Sequence, residues 1–429
     1  MNLNRRFLSL MLITMLAATL GVTPSAAQDS ITLVVWDIWS RDVDSAVIDQ
    51  LNEEFMEAHP GVTIQREVYD LFDLMAIQPL AFSEAGGPDV SMINQGYVGT
   101  GTLVEAGLLM PLNDYADQYG WWDRYAMGLH ARNSFSADGK QFGVGNLYSI
   151  ANLAEIVGVF YHRDIFEEFG FEIPQTLAEF EAILAALKEA DITPIAFGSL
   201  DGWPAIHEYG AIQHAYATLE ELDLFMYRLE GGTFDTEANL KAAEKLVEWV
   251  NAGYFSPGFA GMDYDIQTFN AFVNKEGAMW ITGSWMAGPI VDALGQEPVG
   301  FFLFPPENAD DPPLNIGGVN VGYGIPANSR HPDLAAEYID FVTGPRATEL
   351  FFELGHLPAG PVDPELLTEG TLTADLVNAW GIASSQDAVG HYLDWTVPNI
   401  DSNIQELMGG VVTPEQFIAD VEEDFLAGR

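Results

Sequence analysis

The apolar side chains of this 429-residue chain change period again and again, from the alternation of a strand to the three-to-four spacing of a helix. That switching excludes an all-α bundle and an all-β barrel. Residues 31–36 form a continuous apolar run suited to a buried strand. Val43, Val47, Leu51 and Phe55 then recur at helical spacing until His59-Pro60-Gly61 stops them. Val62, Ile64 and Val68 follow at even spacing. Strand, helix and strand in that order make a crossover unit, which a parallel pair of strands requires.

The alternation continues to the end of the chain. Thr176-Leu177-Ala178-Glu179 reads as a capping box, opening a helix with Leu177, Phe180, Ile183, Leu184 and Leu187 on one face. Thr236 starts another helix and Gly253 ends it. Thr413-Pro414-Glu415-Gln416 joins a cap to a first-turn proline. Strand-like runs lie at 195–197, 278–281, 301–304 and 319–325, and Asp138-Gly139 reads as a hairpin turn. Residues 305–313 read as an acidic, proline-rich surface loop. The pattern predicts α/β layers with mostly parallel sheets.

The first residues bear on compartment. Arg5 and Arg6 precede an apolar stretch over 7–20, and Ser25-Ala26-Ala27 supplies small residues where a signal peptidase cuts. A secretory signal over 1–27 is expected, since the stretch is shorter than the roughly 20 residues of a membrane span. Removing it leaves 429 − 27 = 402 residues, enough for two domains. The chain has no cysteine. Disulfides, thiol nucleophiles, cysteine-ligated zinc and an N-terminal lipid anchor are therefore excluded, and a periplasmic or extracellular location is expected. Sixteen basic against 63 acidic residues give −47, or −49 once Arg5 and Arg6 are gone. Such a surface repels nucleic acid and anionic membranes. A composition of 48% hydrophobic and 12% aromatic residues excludes disorder, and a monomer is expected.

No catalytic, metal or cofactor signature holds together. His207-Glu208 opens a zincin-like string, but Ala211 stands where the second histidine belongs, so His207 reads as a structural or surface residue. Gly99-Thr100-Gly101 lacks the third glycine of a dinucleotide loop, Val104 taking its place. Gly283-Ser284-Trp285 lacks the flanks of a nucleophile elbow. Tryptophans near turns stand out instead: Trp39, Trp203, Trp285 and Trp395. Trp36 reads as core, and Trp121-Trp122 as a surface or helix-packing pair. An indole offers a broad apolar face and one N–H donor, which matches the C–H faces and hydroxyl rim of a sugar.

Several short segments, in order, carry a family resemblance: Ile31 to Trp36, His59-Pro60-Gly61-Val62, Gly87-Pro88-Asp89-Val90, Gly107 to Leu112, Asp138-Gly139-Lys140, Val159 to Asp164, Gly283-Ser284-Trp285 and Gly322-Tyr323-Gly324-Ile325-Pro326. Together they resemble extracellular solute-binding protein family 1, the maltose-binding-protein-like sugar-binding subunits of ABC importers. The resemblance implies a two-lobed periplasmic-binding-protein fold of type II, each lobe a mainly parallel sheet flanked by helices. Lobe 1 is expected over 28–148 plus 284–328 and lobe 2 over 149–283 plus 329–429, with three hinge crossovers near 146–153, 282–286 and 326–330. It implies a ligand in the interlobe cleft and the membrane subunits of an ABC transporter as partner. The residues it points to are Trp39 and Arg41 after the first strand, Asn94 and Gln95 after the third, Glu155, and Asp201 and Trp203 in the second lobe. Trp285, Gly318, Asn320 and Trp395 complete the set. Two rivals remain at this level. One is a binding protein for a cationic ligand such as a polyamine, and the other is a secreted glycoside hydrolase working through two carboxylates.

Overall fold

A computed structural model describes residues 30–385 and 389–428; the expected signal over 1–27 lies outside them. Its strands, in chain order, are β1 Ile31–Asp37, β2 Val62–Val68, β3 Val90–Ile93, β4 Ser134–Phe135, β5 Asn146–Leu147, β6 Ala154–His162, β7 Met279–Gly283, β8 Val299–Phe302, β9 Asn315–Val319, β10 Gly322–Gly324 and β11 Val389–Gly390. The first sheet has the order β10-β3-β1-β2, with β1 parallel to both neighbours and β10 antiparallel at the edge. The second runs β11-β9-β6-β7, with β8 also on β6. There the long β6 opposes β7, β8 and β9, so its ladders are antiparallel, while β11 and β9 run parallel. The expected 138–139 turn closes the β4–β5 hairpin.

Local chemistry places the helices as read. Helix Asp42–Ala58 buries Val47, Ile48, Leu51 and Phe55 against the first sheet. Thr176 caps helix Leu177–Glu189, its hydroxyl accepting from the Glu179 amide at 3.2 Å. Helix Glu237–Ala252 begins at Thr236 and ends on a left-handed Gly253. Thr413 accepts from Gln416 N at 3.2 Å at the start of helix Pro414–Ala427. Trp36 is core, as is Trp121, whose Nε1 donates to Asp340 at 2.9 Å.

Sheet membership departs from the expected lobe boundaries. β8 and β9 fall within 284–328, placed in the first lobe on sequence, yet both pair with β6 in the second sheet. Helices Pro332–Val342 and Pro345–Glu353, placed in the second lobe, pack on helix Asp42–Ala58 in the first. There Tyr338 donates to Asn52 at 2.7 Å. The crossovers move accordingly. One lies at 148–153, between β5 and β6. The apolar run at 319–325, read as one strand, is divided: β9 ends at Val319, and β10 begins at Gly322 in the other sheet. The chain therefore crosses at 320–321 and again at 354–359. Residues 282–286 stay in the second lobe. Residues 326–330 stay in the first, because the buried Asp89 accepts from Ser329 Oγ at 3.1 Å and Arg330 N at 3.0 Å.

The three crossovers lie side by side and hydrogen-bond as a short ladder. Ile150 and Tyr323 exchange bonds of 3.0 and 2.8 Å, Asn320 N donates to Leu153 O at 3.0 Å, and Ala154 N donates to Leu357 O at 2.7 Å. No described helix is long and apolar enough to cross a membrane.

Candidate ligand-binding cleft

Between the lobes, with the crossovers as its floor, lies a cavity of about 570 Å³. Trp39, Arg41 and Asn94 line it from the first lobe, Glu155 and Asn320 from the floor, and Trp203, Trp285 and Trp395 from the second lobe.

The first-lobe wall is set by a buried ion pair. Asp37, at the end of β1, is fully buried and takes Arg66 of β2 through two bonds, Nε to Oδ2 at 2.6 Å and Nη2 to Oδ1 at 2.9 Å. The same Nη2 donates to Trp39 O at 2.9 Å, and Asp37 Oδ1 accepts from Trp39 N at 2.9 Å. The loop carrying Trp39 is thus held on both sides by one pair. Trp39 Nε1 donates to Tyr323 OH at 3.0 Å, and its ring packs on Phe351 at 4.7 Å.

The second-lobe wall is aromatic. Trp285 follows β7 and donates through Nε1 to Tyr264 OH at 2.8 Å, while that hydroxyl also shares a 2.8 Å hydrogen bond with Thr282. Trp203, at the N-terminus of the buried helix Pro204–Tyr216, lies on Tyr264 with centroids 4.3 Å apart. Trp395 is buried and packs on Tyr392 at 5.1 Å. Gly96 lets it in. Its φ is +76°, and a Cβ there would meet Trp395 Cβ at 2.4 Å.

Three expected residues do not face the cleft. Gln95 is buried and donates through Nε2 to Val319 O at 3.0 Å and Asn320 O at 2.8 Å, clamping the second crossover. Asp201 accepts from Tyr264 N at 2.8 Å and so positions the tyrosine under Trp285. Gly318 lies opposite Glu155 in the sheet, and the space where its side chain would stand is filled by Arg132. Arg41 does line the cleft but is already engaged. It reaches across to the other lobe, to Trp285 O at 3.5 Å and to Asp265 at 3.4 Å.

Other lining residues are Asp70, Tyr264, His356, Tyr392 and Asp394, which carried no motif, and His207, whose zincin-like string is incomplete. His207 was read as structural or surface, yet it stands in the wall among Trp203, Trp285 and Tyr392. Its place one turn into a helix behind Trp203 was the available signal. Burial drives its pKa down to about 3, so it is neutral. Burial acts oppositely on the acids. Glu155 is pushed up to about 8 by desolvation and by the charge of Asp394, against the pull of Tyr392 and Arg132. Asp394 is raised to about 6, again by desolvation first. Among the described residues, no group of three or more His, Asp or Glu could hold a metal ion.

The comparisons agree with this geometry. Over 181 residues the chain is 30% identical to the alpha-glucosides-binding periplasmic protein AglE of Rhizobium meliloti, covering 41% of this chain and 38% of that one. It is 22% identical over 220 residues to the multiple sugar-binding protein of Streptococcus mutans, 49% of this chain and about half, 51%, of the relative's length. Among solved structures, a chitin oligosaccharide binding protein superposes with a TM-score of 0.80 at 23% identity, over 93% of this chain and 99% of that one. MalE of Bdellovibrio bacteriovorus, bound to maltotriose, gives 0.68 at 17% identity, over 92% and 98%. These likenesses establish the maltose-binding-like two-lobed fold. The family model for bacterial extracellular solute-binding proteins matches residues 40–349, well over half of the chain, and the protein belongs to that family.

Proposed function

We propose that this protein captures a carbohydrate between its lobes and hands it to the membrane subunits of an ABC importer, without chemical turnover. The observation that carries this reading is the cleft itself. Trp39, Trp203, Trp285 and Trp395 converge from both lobes on one cavity, and indole faces are the natural platform for sugar rings. Asn94, Glu155 and Asn320 are the proposed hydrogen-bonding partners of the hydroxyls. Gln95, Asp201 and Gly318 support the site from behind. The relatives' names, multiple sugar-binding and alpha-glucosides-binding, favour the same ligand class. We further propose export through the 1–27 segment to the periplasm or cell exterior, where the protein acts as a monomer. The lobes then sample open and closed forms, and ligand selects the closed one.

Thermal stability measured against mono- and oligosaccharides tests the reading. A sugar present at 1,000 times its Kd adds about 4 kcal/mol. Trp285→Ala is expected to weaken that sugar's binding at least about tenfold, roughly 1.4 kcal/mol. No response to any sugar, with stabilisation by polyamines alone, would sink the carbohydrate assignment. Product release from an oligosaccharide would point instead to the hydrolase.

A further inference from the structure

The charged groups of the cleft wall are engaged within the protein, with two exceptions. Asp44 shares a 2.7 Å hydrogen bond with His356 Nε2. Asp265 takes Arg41. Asp70 caps helix Leu71–Ser83, accepting from the amides of Phe72 and Asp73. Glu155, whose partner is the neutral Tyr392 side chain, and Asp394 remain. They lie close enough for the charge of Asp394 to act on Glu155, and both line the cleft. One oxygen of Asp394 is buried without a hydrogen-bond partner. Arg132 also acts on Glu155, but its terminal N–H groups donate to the carbonyls of Gly317, Val389 and Gly390. His207, its ring centroid 6.1 Å from that of Tyr392, is 3% exposed, lines the cavity and leaves Nδ1 unpartnered. Tyr392 and Trp395 add aromatic faces to the same corner.

We propose, resting on the carbohydrate reading, that the sugar this cleft takes carries a protonated amino group, held by the carboxylates of Glu155 and Asp394. A charge withdrawn from water needs a partner. A hydroxyl brings one donor and no charge. An ammonium brings three donors and a positive charge, and the face of Tyr392 suits a cation, while the Arg132 guanidinium already lies over the Trp395 ring at 5.6 Å. In the empty cleft Glu155, raised to about 8 by desolvation and by Asp394, holds a proton at pH 7. Tyr392, Asp394 and Arg132 are the groups that act on it. An ammonium expels that proton.

The test is calorimetric titration of the protein with paired sugars that differ only in an amino or a hydroxyl group at C2. Suitable pairs are glucosamine and glucose, galactosamine and galactose, and β-1,4-linked glucosamine oligomers and cello-oligosaccharides of equal length. The amino member is expected to bind at least tenfold tighter at pH 7. Its binding should weaken with salt and release a proton, read as an enthalpy that changes with buffer. In Glu155→Gln/Asp394→Asn the ratio of amino-sugar to neutral-sugar affinity should fall to near one, whatever the neutral sugar itself loses, and an unchanged far-UV spectrum with cooperative unfolding is the control that the fold is intact. A neutral member binding as tightly as its twin overturns the inference and leaves the carbohydrate reading standing. Binding by neither series removes both.

Discussion

Glu155 shows what the sequence made legible at the scale of a residue. The family resemblance pointed to it as a ligand contact, and it lines the cleft. What could not be read was its ionisation, which depends on Asp394, distant in sequence and near in space. Because the folded pKa rises from 4.5 to about 8, the native state holds a proton that the unfolded chain has released across that window. Stability is therefore expected to fall as pH climbs from about 4.5 to 8 and to level off beyond. Glu155→Gln should flatten this slope and raise the melting temperature above that of the parent at pH 8.5, with little change at pH 4.5. An unchanged pH profile would place the carboxyl in contact with water. The Asp37–Arg66 pair makes the opposite prediction. Removing Arg66 strands a fully buried carboxylate, so Arg66→Ala should cost about 3–5 kcal/mol in denaturant unfolding. It should also release the Trp39 loop. Gln95 and Asp201 mark the limit of such reading. The sequence puts a polar residue in a loop at a strand end, but only packing decides whether it faces the ligand or fastens the backbone that does.

Among the elements, helices were more legible than sheets, for a physical reason. Thr176, Thr236 and Thr413 cap their helices through bonds to amides three residues on, so the signal is local. Strand partners are chosen at a distance. β8 was recognisable in part, as the apolar run 301–304, while β9 was touched only at its last residue, Val319, and nothing in 299–302 or 315–319 says that their partner is β6. That choice reassigns a segment from one lobe to the other and moves two crossovers. The run from Val319 to Ile325 shows the ambiguity most sharply, because it holds the last residue of β9 and all of β10, which lie in different sheets, with only Asn320 and Val321 between them. Gln95 bonds to both carbonyls at this junction. Gln95→Leu preserves bulk and leaves those buried acceptors unpaired, at a cost of about 1–3 kcal/mol. Its effect on sugar affinity should be small beside that of Trp285→Ala. A Gln95→Leu protein that keeps its stability but loses ligand would return Gln95 to the cleft.

The molecule as a whole must bring two negative bodies together. Acidic residues outnumber basic ones 63 to 16, so the lobes repel each other. A few contacts oppose that repulsion. Arg41 reaches from the first lobe to Asp265 and Trp285 O in the second. Arg132 is buried, and its cation binds the carbonyls of Gly317, Val389 and Gly390 rather than a carboxylate. These two respond differently to salt. The Arg41–Asp265 pair is exposed, with side-chain accessibilities of 34% and 75%, and a surface pair of this kind contributes little and is readily screened. The Arg132 contacts are sheltered from it. The general repulsion, summed over a net −47, is also screened once the Debye length falls to about 10 Å near 0.1 M. Repulsion spread over so many like charges outweighs one exposed pair, so added salt should favour both folding and closure. Raising NaCl from about 10 mM to about 0.5 M is expected to raise the melting temperature. It should also shrink the radius of gyration of the ligand-free protein in solution scattering. In Arg41→Ala the shrinkage should persist and begin from a more open form at low salt. A radius that grows with salt would mean that exposed cross-cleft pairs, not relief of repulsion, hold the lobes closed.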